Sequence, residues 1–113
     1  MKGIGIDIVE FSRIERIGNL EKFVDKILSE EEKKVYAILF NEQRRLEYLA
    51  GRFATKEAIY KAAPDLCKGK TFKMFSILND ESGAPYLAHP KTSKMMITLS
   101  HSDNYVVALA VHL

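Results

Sequence analysis

Three observations predict an α+β fold. A glycine-punctuated, alternating strand opens the chain, helical text runs from residue 12 to residue 63, and strands and turns fill the stretch beyond Pro64. One strand, then several helices, then a run of strands is the order expected of helices packed on an antiparallel sheet. We read residues 1–113 as a single domain, since a chain of this size buries roughly 65% of its unfolded surface and supports one core.

Gly3 to Val9 forms the first element. Ile4, Ile6 and Ile8 alternate onto one face, leaving Gly3, Gly5 and Asp7 on the other. Glycines on a strand mark either close packing of a helix or the approach of another group, and both readings stay open. Ser12 is placed to cap a short helix ending near Gly18-Asn19, and Leu20 to Leu28 forms a second. Ser29 followed three residues later by Glu32 is a capping box, predicting a helix through Phe40. After Asn41 a longer helix runs to Pro64, which cannot continue it. Thr71 to Leu78 reads as a strand and Asn79 to Gly83 as a turn, with a short return strand at Tyr86-Leu87. Met95 to Leu99 and Tyr105 to Val111 flank the polar segment Ser100 to Asn104, a hairpin connection.

Composition narrows the function classes. Hydrophobic residues make up 47% of the chain and the net charge is +2, which argues against disorder and against a dedicated nucleic-acid arm. All five arginines, Arg13, Arg16, Arg44, Arg45 and Arg52, nevertheless fall in the first 52 residues, so a local anion site is compatible with the bland total. Cys67 is the only cysteine, excluding an intrachain disulfide and a cysteine-based zinc site. No apolar run approaches the ~20 residues of a membrane span. A reducing cytoplasm is the expected compartment.

Chemistry concentrates on the strand and the long helix. Leu46, Leu49, Ala50, Phe53 and Tyr60 form an apolar stripe at helical spacing, and Glu57 lies within it. A carboxylate on such a face must be paired, protonated or bound to a cation. An ordinary (i, i+4) pair with Lys61 would satisfy it. Asp7 is a second carboxylate, on the glycine face of the strand; a strand-end residue accepting backbone N–H groups is the simple account. Together, one strand carboxylate and one helix carboxylate also suit Mg²⁺, which takes oxygen ligands and leaves positions for phosphate and water. His101 is flanked by Ser100 and Ser102, with Asp103 close by, but neighbours in one short segment cannot form a catalytic triad. It is either solvated or a donor to a phosphate oxygen. The lysines at 61, 68, 70 and 73 make a solvated loop or a basic edge for an acidic partner.

These residues coincide with a known pattern. The chain resembles holo-acyl-carrier-protein synthases, the small stand-alone phosphopantetheinyl transferases, in four blocks occurring in family order. They are Gly3-Ile4-Gly5-Ile6-Asp7-Ile8-Val9-Glu10 with Arg13-Ile14; Leu49-Ala50-Gly51-Arg52-Phe53-Ala54-Thr55-Lys56-Glu57-Ala58 with Lys61-Ala62; Gly83-Ala84-Pro85; and Leu99-Ser100-His101-Ser102-Asp103 with Tyr105.

The resemblance implies a phosphopantetheinyl transferase-like fold and a reaction. Coenzyme A donates its phosphopantetheine arm to a serine of apo-acyl carrier protein, and adenosine 3′,5′-bisphosphate is released. It further implies Asp7 and Glu57 as Mg²⁺ ligands and Lys61 beside the transferring phosphate. Arg13, Arg44, Arg52 and His101 are implied to line the coenzyme A and phosphate region, with Gly83 and Pro85 at a turn beside the nucleotide. Homotrimers with coenzyme A in clefts between subunits are implied as well. The acceptor of the serine proton stays open among Glu57, Asp7 and a water on the metal. One region departs from the family: where a glycine-rich turn commonly follows the Lys-Ala pair, this chain reads Ala63-Pro64-Asp65-Leu66-Cys67-Lys68-Gly69. The alternative function is a non-catalytic module whose basic surface binds an acidic partner or a nucleotide.

Overall fold

The structure, a computed structural model, describes residues 1–92 and 94–113. Strand β1 spans Gly3–Glu10 and is followed by helices α1 (Phe11–Glu15), α2 (Leu20–Ile27), α3 (Glu30–Ala37), α4 (Glu42–Ala62) and α5 (Pro64–Cys67). A 3₁₀ turn at Phe72–Met74 leads into strands β2 (Ser76–Asn79), β3 (Pro85–His89), β4 (Met95–His101) and β5 (Tyr105–His112). Strands β1, β5 and β4 form an antiparallel sheet in that order, and β2 pairs with β3 in a separate hairpin. The α+β expectation is thus met. No helix is long and apolar enough to cross a membrane, among the described residues.

Helix α4 lies across β1 and β5. The glycine face of β1 is the one it covers: a methyl group on Gly3 would run into the Ala62 carbonyl, and one on Gly5 into the Ala58 carbonyl. Ala108 and Ala110 continue this flat surface on β5 and are fully buried. Small residues on both strands therefore let the helix backbone settle onto the sheet. The opposite face is apolar and open. Ile4, Ile6 and Ile8 are 56–58% exposed, and register places them in rows with Val111, Leu109 and Val107 of β5, then Met96, Thr98 and Ser100 of β4.

A buried ion pair joins the remaining pieces to α4. Lys56 and Glu32 have fully buried side chains in direct contact. The Lys56 ammonium also donates to the Ile27 carbonyl at 2.7 Å and the Phe72 carbonyl at 2.9 Å. Glu32 accepts from the backbone N–H of Ser29 at 2.9 Å and of Ile77 at 2.7 Å. Each charge is thus surrounded by hydrogen-bonding partners, the condition under which a buried pair is tolerated. Burial pulls the Lys56 ammonium below the ordinary lysine range, and the Glu32 carboxylate opposes that pull.

Several element boundaries differ from expectation for local reasons. Ser12 does not cap α1: Glu10 holds the N-cap position directly at the end of β1, without a side-chain cap bond, and Ser12 lies inside the helix. Asn19 caps α2 and Asn41 caps α4 through their side chains. The capping box at Ser29 forms, but α3 ends at Ala37 rather than Phe40. Its last turn tightens, with the N–H groups of Ile38 and Leu39 bonded to the carbonyls of Val35 and Tyr36. Thr71 to Met74 is not strand. The carbonyls of Lys70 and Phe72 are taken by Tyr60 and Lys56 of α4, so side chains occupy positions a neighbouring strand would fill. In the last hairpin, Ser100 and His101 belong to β4, and the turn shrinks to three residues.

Lys56→Met is expected to lower stability by about 3–5 kcal/mol, because it strands a buried carboxylate. Urea unfolding measures this; a loss below about 1 kcal/mol, the range of an exposed pair, would show that the ammonium contributes little.

Candidate functional site

Asp7 points from β1 toward α4, and Lys61, near the end of that helix, meets it. The Lys61 ammonium donates to Asp7 Oδ1 at 3.3 Å and to the Ile6 carbonyl at 2.9 Å. The Asp7 side chain is 18% exposed and that of Lys61 53%. Glu57, one helical turn before Lys61, is half-buried, and its side chain pairs with no described residue. The expected Glu57–Lys61 pair is therefore absent: the lysine reaches the strand instead. One carboxylate and a cation meet where α4 crosses β1, and Glu57 lies one helical turn before that cation.

This donor set is compatible with a hard divalent cation. No group of three or more His, Cys, Asp or Glu side chains is arranged around a common point, among the described residues. Asp7 and Glu57 would hold Mg²⁺ with one or two protein oxygens, leaving its other positions for phosphate and water, which is how Mg²⁺ is commonly bound. The Lys61 ammonium resting on Asp7 shows that a positive charge is accepted there.

A second group of candidates converges elsewhere. Arg44, Arg52, Gly83, Pro85 and His101 line one cleft of about 470 Å³, walled by Val35, Leu39, Tyr48 and Leu99. Arg44 stands exposed in the first turn of α4, its reach unobstructed by a salt bridge among the described residues. Arg52 is buried and engaged: its Nε donates to the Ile77 carbonyl at 3.0 Å and one terminal nitrogen to Asn79 Oδ1 at 3.1 Å, with the guanidinium 4.5 Å from the Tyr48 ring centre. It fixes the β2 end of the cleft while keeping donors to spare. Burial pushes the Tyr48 hydroxyl up to about 12.

The turn at Gly83 is built in advance. Asp80 accepts from the Ser82 N–H at 2.9 Å, the Ser82 hydroxyl at 2.6 Å and the Ala84 N–H at 3.0 Å. Those bonds, the Ser82 hydroxyl foremost, hold its carboxyl below the usual range. Gly83 has φ of +88°, a conformation that L side chains rarely adopt. Pro85 then enters β3 from a rigid corner.

Arg13 is not in this cleft. It lies on α1, 5.3 Å above the Phe53 ring, and lines a hollow with Ile8, Glu10, Arg16 and Tyr105. Nor do Asp7, Glu57 and Lys61 enter the cleft. Asp7 sits on β1 and His101 on β4, the two edges of the sheet with β5 between them, and the register sets His101 level with Val9 rather than with Asp7. One chain thus presents two half-sites. A further groove at Ile14, Ile17, Leu20 and Leu46 contains none of the predicted residues. Tyr48 and Asn79 were not singled out from sequence. Their signals were present: Tyr48 precedes Arg52 by one helical turn, and Asn79 begins the turn that carries Gly83.

Comparison with known proteins identifies the family. The family model described as the 4′-phosphopantetheinyl transferase superfamily matches residues 3–110. A holo-[acyl-carrier-protein] synthase of Acholeplasma laidlawii is 47% identical over 110 residues, covering 96% of this chain and 92% of that one. Its counterpart in a Geobacillus strain is 43% identical over 112 residues, covering 96% and 93%. Among solved structures, a Bacillus anthracis holo-(acyl-carrier-protein) synthase in complex with CoA (3′,5′-ADP) aligns with a TM-score of 0.79 at 38% identity, covering 98% of this chain and 95% of that one. The Neisseria meningitidis enzyme aligns with a TM-score of 0.81 at 27% identity, covering 100% and 98%. On the strength of a family match along nearly its whole length, the chain belongs to the 4′-phosphopantetheinyl transferase superfamily and, within it, to the holo-[acyl-carrier-protein] synthases.

Proposed function

We propose that the protein transfers phosphopantetheine from coenzyme A to a serine of apo-acyl carrier protein in a Mg²⁺-dependent reaction. The observation that carries this reading is the cleft in which Arg44, Arg52, Gly83, Pro85 and His101, drawn from three separate stretches of chain, face a common space. The serine oxygen bonds to the nearer phosphorus of the pyrophosphate, the phosphoanhydride bond breaks, and adenosine 3′,5′-bisphosphate leaves with the electron pair. The serine proton passes to a base or to solvent.

Such a reaction needs positioning and charge neutralisation more than covalent help. Arg44 and His101 supply donors to the anionic nucleotide from opposite sides of the cleft, while the Gly83–Pro85 corner sets its wall. Arg52 braces that corner through Asn79 and keeps unused N–H donors for phosphate. Arg13, outside the cleft, joins the site from the direction of α1. Lys61 stabilises negative charge developing on the pyrophosphate. Asp7 and Glu57 would hold Mg²⁺, which would supply further charge neutralisation.

The two half-sites then call for a second copy of the chain. We place coenzyme A between subunits of a homotrimer, with the Asp7–Glu57–Lys61 group of one facing the cleft of the next. The open apolar rows on β1, β5 and β4 support this, since an exposed patch of that kind is characteristic of an interface. The reading also includes action in the reducing cytoplasm, where the buried thiol of Cys67 stays reduced.

Purified protein, apo-carrier, coenzyme A and Mg²⁺ are expected to yield a carrier heavier by one phosphopantetheine, detected by mass spectrometry, with the product lost on chelation. An unmodified carrier, where a competent transferase modifies the same preparation, overturns the reading. Glu57→Gln should reduce turnover by about a hundredfold or more with an unchanged circular dichroism spectrum; undiminished turnover would remove Glu57 from the site. Ile6→Asp, which sets a charge in the apolar face, should give a folded monomer without transferase activity. A wild-type protein that sediments as a monomer under assay conditions while remaining active would refute the shared site.

A further inference from the structure

Lys61 sits where a metal ion would otherwise be the natural neighbour of Asp7. Its ammonium lies 3.3 Å from Asp7 Oδ1 and 2.9 Å from the Ile6 carbonyl, while Glu57, the partner expected from helical spacing, is left without an ion pair among the described residues. An ammonium in this position satisfies the charge of a half-buried carboxylate that is 18% exposed. It also blocks one oxygen of the pair that a divalent cation would use. At equal distance a doubly charged ion on Asp7 would repel the ammonium about twice as strongly as the single carboxylate attracts it. The lysine, in contrast, has a cheap way out. Its side chain is 53% exposed, ends a flexible four-carbon stem and can exchange both contacts for water.

We propose that Lys61 is the internal counter-ion of the metal-free site, displaced from Asp7 when the divalent cation binds. Metal entry and release of the ammonium toward the pyrophosphate are then one linked event. Lys61 is a positioning residue in this step, since it acts through Asp7. By linkage the coupling is reciprocal: whatever draws the ammonium off Asp7 favours the metal, and the metal makes the ammonium available. The proposal rests on the reading of Asp7 and Glu57 as metal ligands, and goes beyond it by stating what must leave before the metal can enter.

The test uses the full-length protein without nucleotide, at low ionic strength. Mg²⁺ is titrated calorimetrically into wild type, Lys61→Met, Lys61→Arg and Asp7→Asn. In parallel, the ε-methylene resonance of Lys61 is followed by NMR. Loss of a partly exposed ion pair corresponds to about a fivefold change in affinity, so Lys61→Met should bind Mg²⁺ roughly fivefold more tightly than wild type, and Lys61→Arg no more tightly. In wild type, Mg²⁺ should move the Lys61 resonance to its position in metal-free Asp7→Asn, where the carboxylate is gone. A shift of that kind is not produced by merely removing a charge from the surface. A resonance that stays at its paired position in saturating Mg²⁺, or equal affinities in wild type and Lys61→Met, overturns the proposal. If Asp7→Asn binds Mg²⁺ as tightly as wild type, the metal-ligand reading fails as well; weakened binding with an unmoved Lys61 defeats the displacement alone.

Discussion

Helix α4 can rest on β1 only because Gly3 and Gly5 present bare backbone to the carbonyls of Ala62 and Ala58. Everything of chemical interest on that side of the molecule follows from the closeness. Residues two apart on a strand share a face, so Asp7 emerges beside the same helix two positions after Gly5. Residues four apart on a helix share a stripe, so Glu57 and Lys61 lie along the contact in succession. A larger side chain at either glycine would lift the helix and draw Lys61 away from the carboxylate it now reaches at 3.3 Å. Of the two explanations that the sequence leaves open for these glycines, close packing of a helix is the one the structure shows.

The other half of the candidate site hangs from the same helix by different means. Lys56 and Arg52 are one turn apart, both buried, and both spend their donors on the chain opposite α4. Lys56 ties down the end of α2, the start of α3 and the 3₁₀ turn, while Arg52 grips β2 and Asn79. Burying two cations so close together is costly without good partners. The carboxylate of Glu32, several carbonyls and an aromatic face provide them. The return is a cleft whose walls come from α3, α4, β3 and β4 yet hold a common geometry, as electrostatic catalysis requires.

Features decided by near neighbours in the chain were legible. The Ser29 capping box, the stop at Pro64, the turn before Gly83 and the alternation of β1 all depend on a few adjacent residues, and all occur. Features decided by distant partners were not. The burial of Lys56 is not signalled by its neighbours in sequence, because its acceptors at Ile27, Glu32 and Phe72 are brought near only by the fold. Lys61 was matched to Glu57 by helical spacing, but Asp7, on a different element, competes for it and wins. Thr71 to Met74 has the composition of a strand but coils into a 3₁₀ turn, with the Phe72 carbonyl taken by Lys56 of α4. The two half-sites could be named residue by residue from the resemblance; their separation across the sheet could not, because it depends on β5 inserting between β1 and β4.

That insertion bears on why so small a chain is sufficient. A helix laid over a three-stranded sheet covers one face and leaves two edges, and each edge here carries part of a candidate site: Asp7 and Lys61 at β1, the residues proposed to bind phosphate by β4. The uncovered face carries isoleucines in line with valine, leucine and methionine, a surface whose exposure to water is unfavourable by about 25 cal/mol per Å². In the proposed homotrimer, association through that face would remove the penalty and bring the β1 edge of one subunit toward the β4 edge of the next. The same burial that stabilises the assembly would then complete the site, so that stability and activity are lost together when the face is disrupted. On that proposal, the enclosure that a larger enzyme builds with a second domain would be supplied by another copy of this one.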